Sequence, residues 1–180
     1  VEPTVWHITL KDNVTFSNGE KMTADKVIAS LKRTAETNDR AAWLKDAEYT
    51  AEGNILTIRT KAPYATLVND LCDPYAVIVD VAGTKDFENA PICTGPFVMS
   101  SFEADKHAVM TKNPKYWGGD VKVDEVEYTK IADFNTLAMA LQGDEIDVAL
   151  DLSPETAETI AANDKFTVVK TPQTRTYQLY

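Results

Sequence analysis

The 180-residue sequence predicts an α/β fold built on a mixed sheet. Three observations lead there. Segments with an apolar residue at every second position alternate with segments whose apolar residues recur at three and four. Gly, Pro, Asn and Asp cluster at the joints between them. Ser, Thr or Asp stands at the head of the main helical segments, where a side-chain oxygen can take an orphan amide. Strands interleaved with helices in this way fit the α/β class.

Residues 5–10 alternate, with Trp6, Ile8 and Leu10 on one face and His7 and Thr9 on the other. With residues 14–16 they are expected to form a first hairpin through Lys11-Asp12-Asn13. A second turn follows at Asn18-Gly19, where glycine can take positive φ. Thr23 then heads a helix over residues 24–37, with Asp25 in the first turn, where the helix dipole favours acid. Val27, Leu31, Thr34 and Ala35 form its buried stripe. Residues 40–47 make a further helical turn carrying Trp43 and Leu44. Residues 49–51 and 55–60 read as a strand pair around Gly53, closed by Pro63. A short helix over 64–71 is expected to turn Leu67, Val68 and Leu71 inward, and 76–79 reads as a buried strand. Residues 82–90 form a loop.

The second half repeats the pattern. Residues 97–102 and 107–112 read as an antiparallel pair, and 113–119 as a compact loop anchored by Tyr116 and Trp117. Residues 121–131 alternate as a strand. Asp133 caps a helix over 135–141, with Leu137, Ala138 and Leu141 inward, and Gly143 ends it. Residues 146–150 are expected to be a strand. Ser153 and Pro154 start a helix at its N-cap and first position. Residues 166–170 read as the last full strand, and 175–180 as the start of another. Strand patterns so near both ends predict a piece of a longer protein.

Composition narrows the function. Hydrophobic residues are 44% and charged residues 26%, globular values that exclude a disordered tail. Lys and Arg number 18 against 28 Asp and Glu, a formal charge of -10. Such a chain repels phosphate backbones, and no basic stripe offsets this, so no nucleic-acid partner is expected. No apolar run approaches the roughly 20 residues of a membrane span. Cys72 and Cys93 lack the spacing of a zinc site. They leave a disulfide and a pair of reduced thiols equally open.

Catalytic equipment is sparse. His7 and His107 are the two imidazoles, each on an expected strand, and there is no G-x-S-x-G nucleophile elbow. Gly143-Asp144-Glu145-Ile146-Asp147 gathers three carboxylates without the longer pattern of a calcium loop. It reads as a solvated turn. Thr94-Gly95-Pro96 lacks the glycine spacing and the lysine of a phosphate loop. Trp43, Tyr75, Tyr116 and Trp117 are candidates for the wall of a ligand site. No cofactor and no metal site is expected, and a binding module is favoured over an enzyme.

Four motifs in order carry a resemblance. Trp6-His7-Ile8-Thr9-Leu10-Lys11, then Val14-Thr15-Phe16, Gly19, and Thr23-Ala24-Asp25-Lys26-Val27 form the first. Thr94-Gly95-Pro96-Phe97, with Cys93 where glycine is usual, is the second. Lys112-Asn113-Pro114-Lys115-Tyr116-Trp117-Gly118 and Ala140-Leu141-Gln142-Gly143-Asp144-Glu145-Ile146-Asp147 complete the set. Together they resemble the family 5 extracellular solute-binding proteins, the peptide-, dipeptide- and nickel-binding components of ABC importers.

The resemblance implies the first lobe of a bilobal, type II periplasmic-binding-protein-like fold, cut before the second lobe. Residues 1–91 would be one sub-domain and 92–180 part of the central sub-domain. It implies capture of a short peptide outside the membrane, in the periplasm or lipid-anchored at the outer face of the cell membrane. The partner would be an ABC permease and the protein a monomer. Alternatives are a nickel chelate as ligand, or a sensory domain reusing the fold. Arg40-Ala41-Ala42-Trp43 is similar to the nickel-binding branch, in which the Trp lines the cavity and the Arg borders it. Arg40, Trp43 and Tyr75 are therefore the expected ligand-binding residues. Tyr75 departs from that branch, which places a carboxylate-binding Arg there.

Overall fold

The computed structural model describes residues 4–171, and the chain forms two compact units, Val1–Thr129 and Lys130–Tyr180. In the first unit, β1 (Val5–Thr9), β2 (Glu48–Glu52) and β3 (Ile55–Arg59) form an antiparallel sheet in the order β1-β3-β2. The β2–β3 hairpin turns through Gly53, at φ +60. Helix α1 (Ala24–Thr37) packs on this sheet with Ala24, Val27, Leu31, Thr34 and Ala35 buried. Its start and stop are local chemistry: Thr23 Oγ1 accepts from the Lys26 amide, and Asn38 closes the last turn on Thr34. Leu31, Leu44, Leu56, Ile58 and Leu67 are essentially inaccessible. Each contributes about 1.5–3 kcal/mol by leaving water.

The strand order differs from a first hairpin of 5–10 with 14–16. Residues 14–16 instead fold back on 20–22, with Phe16 N donating to Glu20 O at 2.8 Å and Met22 N to Val14 O at 3.0 Å. The tight turn at Gly19, φ +92, makes that local pairing available, and β1 is left to pair with β3. A second antiparallel sheet, β4-β5-β6, comprises Phe97–Glu103, His107–Lys112 and Glu125–Thr129. The bulge between Met99 and Ser101 shifts its register. Every strand pair among the described residues is antiparallel.

Residues 76–79 are not a strand. A 3-10 turn (Pro74–Ala76) leads into an extended stretch, and Val77 is 54% exposed. The stretch finds its partner in a helix side chain: Ser30, fully buried on α1, donates to Val77 O at 3.2 Å and accepts from Val79 N at 3.0 Å. Among the described residues, one bridge, Val79 to Cys93, is all the ladder it makes. The next residue, Asp80, is 1% exposed. Its Oδ2 accepts from Asn18 Nδ2 at 2.9 Å, and its Oδ1 relies on the Lys26 ammonium 3.3 Å away. Gly83 is obligatory beside it, since a Cβ there would lie 2.5 Å from Asp80 Oδ2. The short helix α2 (Leu67–Asp70) buries Leu67, but Val68 is 49% exposed, because a one-turn helix offers a single residue to the core.

The second unit holds α3 (Phe134–Gln142), capped by Asp133 and closed at Gly143, and α4 (Pro154–Ala161), capped by Ser153. Residues 146–150 and 166–170 form no strand among the described residues. An isolated extended segment has no ladder to stabilise it, and Val148, Leu150 and Val169 are 62–81% exposed. The strand expected at 175–180 lies outside the described residues. Cys72 and Cys93 are both free thiols, the first exposed and the second half-buried, where burial pushes its pKa up.

Burial alone pushes the Asp80 carboxyl up, but the Asn18 amide, the Lys26 ammonium and the Gly83 amide outweigh it and hold it below the usual carboxylate range. The charged form therefore stabilises the fold above the ordinary carboxylate pKa of about 3.9, and that contribution is lost as pH falls through the lowered folded value. Asp80→Asn is expected to lower stability by about 1–3 kcal/mol at pH 7. It should also flatten the loss of stability below pH ~4. Urea titrations at both pH values check this; unchanged stability and acid slope would contradict it.

Candidate functional site

The site forms in the first unit, where three non-sheet segments meet. Asn38 Oδ1 accepts from the Arg40 amide and starts a 3-10 stretch, Asp39–Asp46, directly after α1. That stretch carries Arg40, Trp43 and the fully buried Leu44. It breaks helical geometry at Ala41, φ -99 and ψ 16, so one face turns to the core and the other outward. The 3-10 turn Pro74–Ala76 is capped by Asp73, whose Oδ1 accepts from the Tyr75 amide at 3.0 Å. Pro74, with φ preset by its ring, suits the first position of this turn. Tyr64 and Asp70 come from the start and end of the α2 segment.

These segments form a pocket of about 290 Å³ lined by Arg40, Trp43, Tyr64, Asp70, Asp73 and Tyr75, with Ala41 and Ala76. All three expected residues, Arg40, Trp43 and Tyr75, thus share one concavity. The Arg40 guanidinium donates to the Tyr75 hydroxyl and lies 5.2 Å from that ring's centroid. Trp43 meets Tyr64 edge to face, with centroids 5.3 Å apart and planes at 83°. A hydrogen bond to Asp70, then partial burial and the Asp70 charge, raise the Tyr64 phenol above its ordinary value, against a smaller opposing effect of Thr66. Asp70 Oδ2 also accepts from the Thr66 hydroxyl at 2.9 Å. The pocket therefore offers one guanidinium, two carboxylates and three aromatic rings, a set suited to holding polar organic groups by charge and stacking.

Tyr64, Asp70 and Asp73 escaped the sequence reading. One signal for them was present: Asp73-Pro74 is a helix-start pair, which would have placed Asp73 beside Tyr75. The other aromatic candidates stand elsewhere. Tyr116 and Trp117 are 5.7 Å apart, and the Lys11 ammonium lies 4.3 Å from the Trp117 ring. His7 on β1 pairs with Thr57 Oγ1 at 2.9 Å, and His107 lies on β5. Asp144 is an exposed turn residue ion-paired to Lys165 at 2.7 Å. Among the described residues no group of three His, Cys, Asp or Glu is placed to hold a metal ion.

The known proteins that this chain resembles are solute-binding proteins. The family model for bacterial extracellular solute-binding proteins, family 5 (middle), matches residues 2–180, and the chain belongs to that family. It is 31% identical over 174 residues to the nickel-binding protein NikA of Staphylococcus aureus, covering 96% of this chain and 35% of that protein. It is 27% identical to the glutathione-binding protein GsiB of Pectobacterium atrosepticum, covering 92% and 34%. The crystal structure of S. aureus NikA in complex with Ni(L-His)2 superposes with a TM-score of 0.85 at 30% identity, over 91% of this chain and 35% of that one. A nickel ABC transporter structure from Bacillus halodurans gives 0.83 at 32%, over 90% and 34%. The chain thus spans about a third of the length of the relatives it matches. The solved relatives are bilobal periplasmic binding proteins, and the chain shares their α/β fold. Among the described residues no helix is long and apolar enough to cross a membrane.

The pocket wall is tied to the sheet through Tyr49 on β2, whose hydroxyl donates to Leu44 O at 2.8 Å. Burial pushes its pKa from 10.0 up to about 12. The neutral phenol therefore contributes stability that is whole below pH 10 and lost as pH rises toward 12. Tyr49→Phe is expected to cost about 1 kcal/mol at pH 7, and to weaken the dependence of stability on pH above 10. Chemical denaturation at neutral and alkaline pH checks both; equal curves for the two proteins would contradict them.

Proposed function

We propose that the full-length protein is the substrate-binding component of an ABC importer. It captures a short peptide outside the cytoplasm, in the periplasm or anchored by lipid at the outer face of the cell membrane, and delivers it to a membrane permease. The observation that carries this reading is the pocket of Arg40, Trp43 and Tyr75 in a chain of family 5. A guanidinium pairs with carboxylate and an indole face stacks on flat or cationic groups. The protein makes and breaks no bond in its ligand, acts as a monomer and uses no cofactor. In this scheme the pocket is one side of a clamp that closes on the ligand by hinge motion. Residues 1–91 and 92–180 are two sub-domains of the same lobe in this proposal.

A nickel chelate is the second reading. It is favoured by the similarity to S. aureus NikA, solved with Ni(L-His)2. With no three metal-ligating side chains gathered among the described residues, nickel would arrive already chelated.

Calorimetry on the full-length protein against a short-peptide library and Ni(L-His)2 tests both. Trp43→Ala is expected to weaken the preferred ligand by about tenfold or more. The 180-residue chain alone is expected to bind far more weakly than the whole protein, because half a clamp buries little of the ligand. Equal affinity of the variant, or micromolar binding by the isolated chain, would contradict the reading.

A further inference from the structure

We infer that this pocket selects its ligand by charge, taking a cationic group of the solute in the aromatic corner in preference to an anionic one. The inference rests on the reading of the pocket as the ligand site and names the chemistry that site accepts.

Trp43 and Tyr64 stand almost perpendicular, at 83°, so two rings form adjoining walls. Perpendicular aromatic walls are how proteins surround an ammonium or guanidinium, through the negative faces of the rings. The third ring already accepts such a group, since the Arg40 guanidinium lies over Tyr75. Asp70 and Asp73 line the same pocket, against which Arg40 is its one positive side chain among the described residues. One formal negative charge is left over. Arg40 is also drawn to the Tyr75 hydroxyl, which draws its charge to that side of the pocket. Each carboxylate is partly committed inside the protein, Asp70 to the Thr66 and Tyr64 hydroxyls and Asp73 Oδ1 to the Tyr75 amide. These bonds fix the carboxylates in place, and an ionised carboxylate has further acceptor sites for a ligand. A volume of about 290 Å³ suits one side chain or head group rather than a whole peptide. The site therefore reads one part of a larger solute.

The test uses the full-length protein and three dipeptides with the same termini: alanyl-lysine, alanyl-glutamine and alanyl-glutamate. Titration calorimetry at low salt is expected to give alanyl-lysine at least about tenfold tighter than alanyl-glutamate, with alanyl-glutamine between. The double variant Asp70→Asn, Asp73→Asn keeps amide acceptors for Thr66 and the Tyr75 amide. It is expected to shrink the lysine-to-glutamate gap to about twofold or less. An equal or reversed order in the natural protein overturns the inference, and so does a gap that survives in the variant. Binding of none of the three overturns it as well. Ni(L-His)2 titrated in the same cell then separates the readings. If it binds while the peptides do not, the charge inference fails alone; if it does not, the solute-binding reading fails with it.

Discussion

Two of the three segments that line the pocket hang on helix α1. It carries the buried Ser30 and the half-buried Lys26, one turn apart, and these two side chains hold the chain at 77–80. Ser30 takes the amide and carbonyl that a neighbouring strand would have taken. Lys26 takes the buried Asp80 carboxylate. Directly upstream of that clamp, Pro74–Ala76 presents Tyr75 to the pocket. The C-terminal end of the same helix runs through Asn38 into the stretch that carries Arg40 and Trp43. One rigid element therefore sets two of the three segments that line the pocket. An unpaired polar group at Ser30 or Asp80 would cost more than most surface contacts are worth, because both sites exclude water.

Much of the fold could be read in advance. The stripe of α1, its cap at Thr23, and the β2–β3 and β4–β5 pairs follow from spacing and turn residues alone. The failures share a cause. Residues 14–16, 76–79, 146–150 and 166–170 all have the composition of strands, but a strand exists only if another segment pairs with it, and 5–10 became one by pairing with β3. Composition does not name the partner. Gly19 diverted residues 14–16 into a local turn, and Ser30, a polar residue in a buried helical stripe, replaced the partner of 76–79 from 47 positions away.

The pocket was legible in part for a different reason. Trp43 and Tyr75 stood out as aromatic candidates, whereas Arg40 came from a family resemblance alone. Tyr64, Asp70 and Asp73 sit on turns of three or four residues, too short for any repeat to show. Their joint effect, a net negative aromatic corner, appears only when α2 and the turn at Pro74–Ala76 are brought beside the residues that follow α1. A pocket assembled from short irregular pieces on a rigid helix is also one whose chemistry can vary among relatives without disturbing the core. The family's members bear names as different as nickel-binding and glutathione-binding.

The direct test of the α1 clamp is amide hydrogen exchange at Val79, whose N–H donates to the Ser30 hydroxyl. If the clamp holds the pocket wall, that amide opens only with the helix, and its protection matches that of the core amides of α1. Exchange of Val79 at the rate of an ordinary surface loop, while α1 remains protected, would contradict the account.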